Sequence, residues 1–120
     1  MEDNLVKELQ EIGLSEKEAK VYLASLELGP ATAQQIAAKA IVNRPTTYMM
    51  IESLTKRGLM GTYKRGGKTI FKAGSPSLLR YLLLNEKRAF EVRQSKAEAL
   101  SRKIEINTQP KEEGVDVQIF

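Results

Sequence analysis

Four punctuated stretches in a fixed order constrain this chain more than any other feature. Gly29-Pro30-Ala31-Thr32-Ala33-Gln34-Gln35-Ile36-Ala37 ends one helix and opens another, and Asn43-Arg44-Pro45-Thr46-Thr47-Tyr48 opens the next. Lys56-Arg57-Gly58-Leu59 stops that helix, and Lys64-Arg65-Gly66-Gly67-Lys68 turns a basic hairpin. Glycine and proline at these points end helices because one relieves a strained backbone and the other cannot continue the hydrogen-bond ladder. Two short helices, a helix stop and a basic hairpin are the sequence form of a winged helix-turn-helix, which predicts a DNA-binding chain. The charge agrees. Residues 39–72 carry eight Lys/Arg (Lys39, Arg44, Lys56, Arg57, Lys64, Arg65, Lys68 and Lys72) against Glu52 alone, a local net of +7, while residues 1–38 sum to −4 and 73–120 to +1. A segregated charge of this kind is the electrostatic footprint that phosphate requires.

With 120 residues and 42% apolar composition the chain buries one small core, which predicts one domain plus an extension. No apolar run approaches the roughly 20 residues that span a bilayer. Met1-Glu2-Asp3-Asn4 lacks a basic segment followed by an apolar stretch, so a soluble, cytoplasmic protein without membrane attachment is expected. The chain has no Cys and no His, which removes the disulfides, the usual zinc ligands, the commonest general base and the strongest nucleophile. No enzyme activity, metal or cofactor is therefore expected. Glu16 with Glu18, and Glu112, Glu113 with Asp116, are the remaining carboxylate groups of interest. They fall in a helix first turn and a polar linker, where solvated charges normally sit.

Leu5, Leu9 and Ile12 at helical spacing, with Gly13 as a stop, predict a first helix over Met1 to Ile12. Ser15 with Glu18 fits a capping box opening a second helix from Glu16 to Leu28, with Ala19, Tyr22, Leu23 and Leu26 as its apolar stripe. Thr32 with Gln35 is a second such pair, and Ala33, Ile36, Ala37 and Ala40 are small enough for close packing of the third helix. Asn43 caps a fourth helix that runs to Arg57, with Pro45 tolerated in its first turn. At about 100° per residue Thr47, Ile51 and Leu54 share the inward face. Pro45, Thr46, Met49, Ser53 and Lys56 project roughly opposite, with Tyr48 and Met50 on the flanks. Leu59 to Tyr63 and Thr69 to Lys72 then read as strands around the paired glycines. A plain solvated hairpin, its lysines guarding an edge, is the alternative there.

Ser75-Pro76 opens a long helix, about Pro76 to Ile106, in which Leu83, Phe90, Ala97 and Ile104 recur every seven residues. The companion positions Leu79, Glu86, Arg93 and Leu100 are half apolar. A helix this long cannot bury its far half against so small a domain. Pairing with a second copy, parallel or antiparallel, is the expectation, and folding back on the first helix is the alternative. The fold expected is thus mainly α with a small β-hairpin wing. The winged helix-turn-helix occupies 1–75 and a dimerisation helix 76–107. A linker with a short strand, Val115 to Phe120, or a tail occupies 108–120.

Gly13-Leu14-Ser15, Glu18-Ala19-Lys20-Val21-Tyr22-Leu23-Ala24, Leu28-Gly29-Pro30-Ala31-Thr32-Ala33, Ile36-Ala37, Tyr48, and Ser53-Leu54 with Lys56-Arg57-Gly58-Leu59 together resemble the DNA-binding domain of TrmB-family transcriptional regulators over residues 5–76. The resemblance implies a winged helix-turn-helix that reads operator DNA, with Tyr48 on the DNA-facing helix and Lys64 to Lys68 in the wing, followed by a helix that pairs subunits. Many members of the family add a C-terminal effector domain for sugars or related metabolites. A small-molecule effector is expected here only where such a domain exists, and Val115 to Phe120 resembles its first strand. The sequence is compatible with a truncated DNA-binding half or with a compact stand-alone member. Ile41 stands where the family often has Gly, and a β-branched residue is strained in a left-handed turn, so an altered turn is expected. Pro45 and Met49-Met50 replace typical small or polar residues, and base preference is not inherited from relatives.

The reading that follows is a sequence-specific, dimeric regulator on double-stranded DNA. Lys56, Arg57, Lys64, Arg65 and Lys68 are assigned to phosphates, Arg44, Thr46, Met49 and Ser53 to base edges, with Pro45 and Tyr48 on the same surface. Leu79, Leu83, Phe90, Ala97, Leu100 and Ile104 are assigned to the homodimer interface. The rival is a winged-helix adaptor that binds protein and reads no DNA.

Overall fold

The computed structural model describes residues 2–108, so the expectations for a linker and strand over 109–120 lie outside the described residues. Local signals place five helices and one hairpin in the order α1 (Glu2–Glu11), α2 (Glu16–Leu28), α3 (Ala33–Ala40), α4 (Arg44–Lys56), β1 (Met60–Arg65), β2 (Lys68–Ala73) and α5 (Leu79–Asn107). Both capping boxes form: the Ser15 hydroxyl accepts from the Glu18 amide at 3.1 Å and the Thr32 hydroxyl from the Gln35 amide at 3.2 Å. In return the Glu18 and Gln35 side chains accept from the Ser15 and Thr32 amides at 2.8 and 2.9 Å. Each box satisfies two backbone donors that a helix start would otherwise leave unpaired.

α2 is the axis of the domain, packing against α1, α3, α4 and β2. Its buried residues are Glu18, Ala19, Val21, Tyr22, Ala24 and Ser25. Of the expected stripe Ala19 and Tyr22 are buried and half-buried Leu23 and Leu26 pack against the core, while Val21 and Ala24 are buried beside them, because an element surrounded on several sides has no single apolar face. In α1, Leu5 is exposed and Val6 packs against the core beside buried Leu9. The core closes around Ile36 of α3, Ile51 and Leu54 of α4, Leu59, Phe71 of β2 and Leu82 of α5.

The hairpin is tighter than expected. Strands run through Arg65 and from Lys68, which pair with each other, so Lys64, Arg65 and Lys68 are strand residues and the turn is Gly66-Gly67 alone. Both glycines have positive φ, 58° and 80°, as a two-residue turn of this hand demands. A feature the sequence did not announce then fixes the wing to the helix pair. Ala31, just before α3, exchanges backbone hydrogen bonds with Phe71 of 3.0 and 2.8 Å, adding a one-residue third strand.

The connection between α3 and α4 keeps its left-handed residue. Ile41 sits at φ 57°, ψ 49°, its side chain 89% exposed, so the expected alteration of the turn does not occur and the strain is accepted instead. Ser75 caps a single 3-10 turn, Pro76–Leu78, and the α-helix starts at Leu79, three residues later than the sequence suggested. The chain divides into two compact units, Met1–Asn85 and Glu86–Phe120. In the first, Leu82 is 1% exposed and Leu79 packs partly on the core. From Leu83 to Asn107 every residue of α5 is exposed except half-buried Ala99. No helix among the described residues is long and apolar enough to cross a membrane.

Candidate nucleic-acid interface

The fourth helix is held by its start and its inner face. The Asn43 carboxamide oxygen accepts from the Thr46 amide at 2.8 Å, while the buried Thr47 hydroxyl donates to the Asn43 and Val42 carbonyls at 2.9 and 3.2 Å. Thr47, Ile51 and Leu54 are buried as the helical spacing predicts. That phase turns Arg44, Pro45, Tyr48, Met49, Glu52 and Lys56 outward, and Met49 is 62% exposed. Thr46 is half-buried.

The two flanks of α4 differ. On one, Tyr48 meets Phe71 of the wing edge to face, with ring centroids 6.2 Å apart and planes at 80°. A cleft of about 540 Å³ opens between α4 and the hairpin, bordered by Met49, Glu52, Lys56 and Thr62. A smaller hollow, about 300 Å³, is shared by Thr32 at the start of α3, Arg44 and Tyr48 of α4, and Lys68 and Thr69 of the wing. Two cations, three hydroxyls and a helix N-terminus around one hollow suit a phosphate group.

The other flank points into the protein, and two of the residues assigned to DNA from the sequence lie on it. Ser53 donates its hydroxyl to the Glu18 carboxylate. Arg57 donates from Nη1 to the Gly13 carbonyl at 3.0 Å and lies 3.8 Å from Glu18 through Nε. Neighbouring Met50 accepts from the Ser15 hydroxyl at 3.8 Å. Ser53 and Arg57 are thus engaged with α2 and the turn before it, not turned outward with Met49 and Lys56. Both sit about 40 to 80° round the helix from Met49, enough to pass from the outer face to the inner flank. Glu18, expected in solvent, is 5% exposed at the centre of this cluster. Burial pushes its carboxyl up, but the Ser15 amide, the Ser53 hydroxyl, the Arg57 charge and the Ser15 hydroxyl together outweigh it and hold the group below its ordinary value.

The basic region is therefore narrower than residues 39–72. Lys39 pairs with Glu27 of α2 at 3.3 Å and Arg57 with Glu18. The other positive charges of that stretch are on Arg44 and Lys56 of α4 and on Lys64, Arg65, Lys68 and Lys72 of the hairpin, all exposed. Lys64 leans along the hairpin, its Nζ 2.9 Å from the Thr69 hydroxyl. No group of His, Cys, Asp or Glu capable of holding a metal occurs among the described residues.

Comparison with known proteins coincides with this geometry. Residues 9–77 match the family described as sugar-specific transcriptional regulator TrmB, nearly the span over which the sequence resembled it. The uncharacterized protein YrhO of Bacillus subtilis (strain 168) is 38% identical over 58 residues, 48% of this chain and 21% of its own. Among solved structures, TrmBL2, an archaeal chromatin protein with a novel mode of DNA binding, superposes with a TM-score of 0.67 at 27% identity, over 97% of this chain and 49% of its own. A MarR-family transcriptional regulator from Silicibacter pomeroyi (TM-score 0.54, 16% identity, 92% of this chain and 84% of its own) shares the fold. So does the ST1889 protein of Sulfolobus tokodaii (TM-score 0.53, 21% identity, 69% and 86%). The chain spans about half the length of TrmBL2 and about a fifth of YrhO.

Proposed function

Because this chain belongs to the TrmB family of transcriptional regulators, we propose that it binds operator DNA as a homodimer and regulates transcription in the cytoplasm. The observation that carries the reading is the shared hollow of Arg44, Tyr48 and Lys68, which joins the exposed face of α4 to the wing in one cationic surface. In this reading α4 enters the major groove by its N-terminal half. Arg44 and Met49 approach base edges, Thr46 lies at the margin, and the Met49 thioether and Pro45 ring suit contact with a thymine methyl. Lys56, Lys64, Arg65 and Lys68 neutralise phosphates, which makes affinity salt-dependent and leaves sequence discrimination to α4. Ser53 and Arg57 drop out of the DNA contact set and act behind it, setting the pose of the helix. The exposed seam of α5, with Leu83, Phe90, Ala97, Leu100 and Ile104, joins two copies and so presents two recognition helices to a two-fold site.

Fluorescence anisotropy with an unrelated duplex at low salt, followed by selection from a random duplex library, tests this directly. Binding that weakens steeply with salt, and a selected site with two related halves, are expected. A chain that fails to bind duplex DNA at low salt is the adaptor, not the regulator.

A further inference from the structure

The seam of α5 also carries information about direction. Leu83, Phe90, Ala97 and Ile104 alternate with Leu79, Glu86, Arg93 and Leu100 along one line of the helix, and all but half-buried Leu79 are exposed. A second copy laid parallel and in register sets each residue against its own counterpart. Glu86 then faces Glu86 and Arg93 faces Arg93, on either side of Phe90, so that two like-charge contacts fall inside the seam.

Reversing the second copy and setting Phe90 against Arg93 changes every layer. Leu83 then meets Leu100, and Ile104 meets the exposed edge of Leu79. The Arg93 guanidinium lies over the Phe90 ring, an attractive cation–aromatic contact. Glu86 falls beside Ala97, whose small side chain leaves its carboxylate a path to solvent. Each contact occurs twice by the two-fold axis, and no like charges are opposed. We propose that the homodimer is an antiparallel pairing of α5 in this register, with the second copy of this chain as the partner that the exposed seam fits. The proposal rests on the dimer reading above and adds its polarity. At 1.5 Å per residue the helix starts of the two copies lie roughly 37 Å apart along the pair, close to one turn of duplex DNA.

The absence of native cysteine makes the test clean. Leu83→Cys and Leu100→Cys are prepared separately, both at exposed positions, one carrying a size tag, then mixed, allowed to exchange subunits and treated with a short thiol-specific bifunctional reagent. The antiparallel register requires cross-linked product between tagged and untagged chains in the mixture and its loss when either variant is treated alone. Self-cross-linking of each variant alone overturns the proposal in favour of a parallel pair. A dimer by sedimentation that yields neither product overturns the register. A monomer by sedimentation overturns the dimer reading itself, so the two failures are distinct.

Discussion

The Arg57 guanidinium and the Glu18 carboxylate stand 3.8 Å apart, joining the end of α4 to the capping box of α2, and the same guanidinium reaches the Gly13 carbonyl at 3.0 Å. A residue used in this way has a different mutational signature from a phosphate contact. Arg57→Ala is expected to lower folding stability by about 1–2 kcal/mol, because it removes an ion pair with a largely buried carboxylate and a hydrogen bond to a backbone carbonyl. It should leave the slope of log affinity against log salt unchanged. Urea unfolding and a salt titration of DNA binding separate the roles; a slope reduced by about 1 with stability intact would return Arg57 to the phosphate backbone.

The same cluster makes stability depend on acid. Glu18 titrates below its ordinary value of 4.5 in the folded chain, so the folded state binds its proton less readily than the unfolded state does. The stability this contributes is fully present above the unfolded value and is lost as pH falls through the folded one. Glu18→Gln should destabilise the protein near neutral pH and flatten the loss of stability below about pH 4.5 relative to the parent chain. Denaturation midpoints at several pH values decide it; parallel curves for parent and variant would show that Glu18 does not couple to folding.

What could be read from sequence was what neighbours in sequence decide. Ser15 with Glu18, Thr32 with Gln35, and Asn43 with Thr46 are pairs three residues apart, and all three caps form as their residue types require. The inward face of α4 followed from periodicity for the same reason. Glu18 with Ser53 and Arg57 with Gly13 are 35 and 44 residues apart, and no local pattern distinguishes a carboxylate that caps a helix in water from one that does so beneath another helix. The Ala31–Phe71 bridge is hidden likewise, since one residue is too short to carry a strand signal. In Leu82-Leu83-Leu84 consecutive leucines carry no phase, and only packing shows that Leu82 closes the core while Leu83 begins the exposed seam.

Ile41 offers a gain of stability. A β-branched residue in the left-handed region costs roughly 1–2 kcal/mol, and at 89% exposure its side chain recovers little of that by burial. Glycine adopts the same backbone without clash but loses more freedom on folding, by about 0.5–1 kcal/mol. Ile41→Gly is therefore expected to stabilise the chain by up to about 1 kcal/mol, read from the urea midpoint at constant m-value. A destabilised variant would mean that Ile41 makes contacts worth more than its strain.

The wing should account for a countable part of the salt dependence. Lys64, Arg65 and Lys68 lie on paired strand ends beside Gly66-Gly67, all exposed. Changing the three together to Ala should reduce the slope of log affinity against log salt by up to ~3, since each phosphate contact releases close to one counterion. Their exposure predicts little change in thermal stability. An unaltered slope would remove the wing from the interface and leave the contact to α4 alone.

Phe90 tests assembly without disturbing the DNA-binding unit. It is 56% exposed in the single chain and lies in the middle of the α5 seam, so its substitution opens no cavity in the core. Burial of a Phe stabilises by roughly 1.5–3 kcal/mol, and a two-fold pair buries it twice, so Phe90→Asp removes that burial from both sides of one interface. Sedimentation equilibrium should show the parent chain dimeric at tens of micromolar and the variant monomeric, with the variant's thermal unfolding little changed. Loss of the dimer also uncouples the two recognition helices, so affinity for a selected two-fold site should fall much further than affinity for unrelated duplex, whose binding each subunit makes alone. A variant that stays dimeric, or a monomer that keeps full preference for the selected site, would remove α5 from assembly and place the pairing of half-sites elsewhere in the chain.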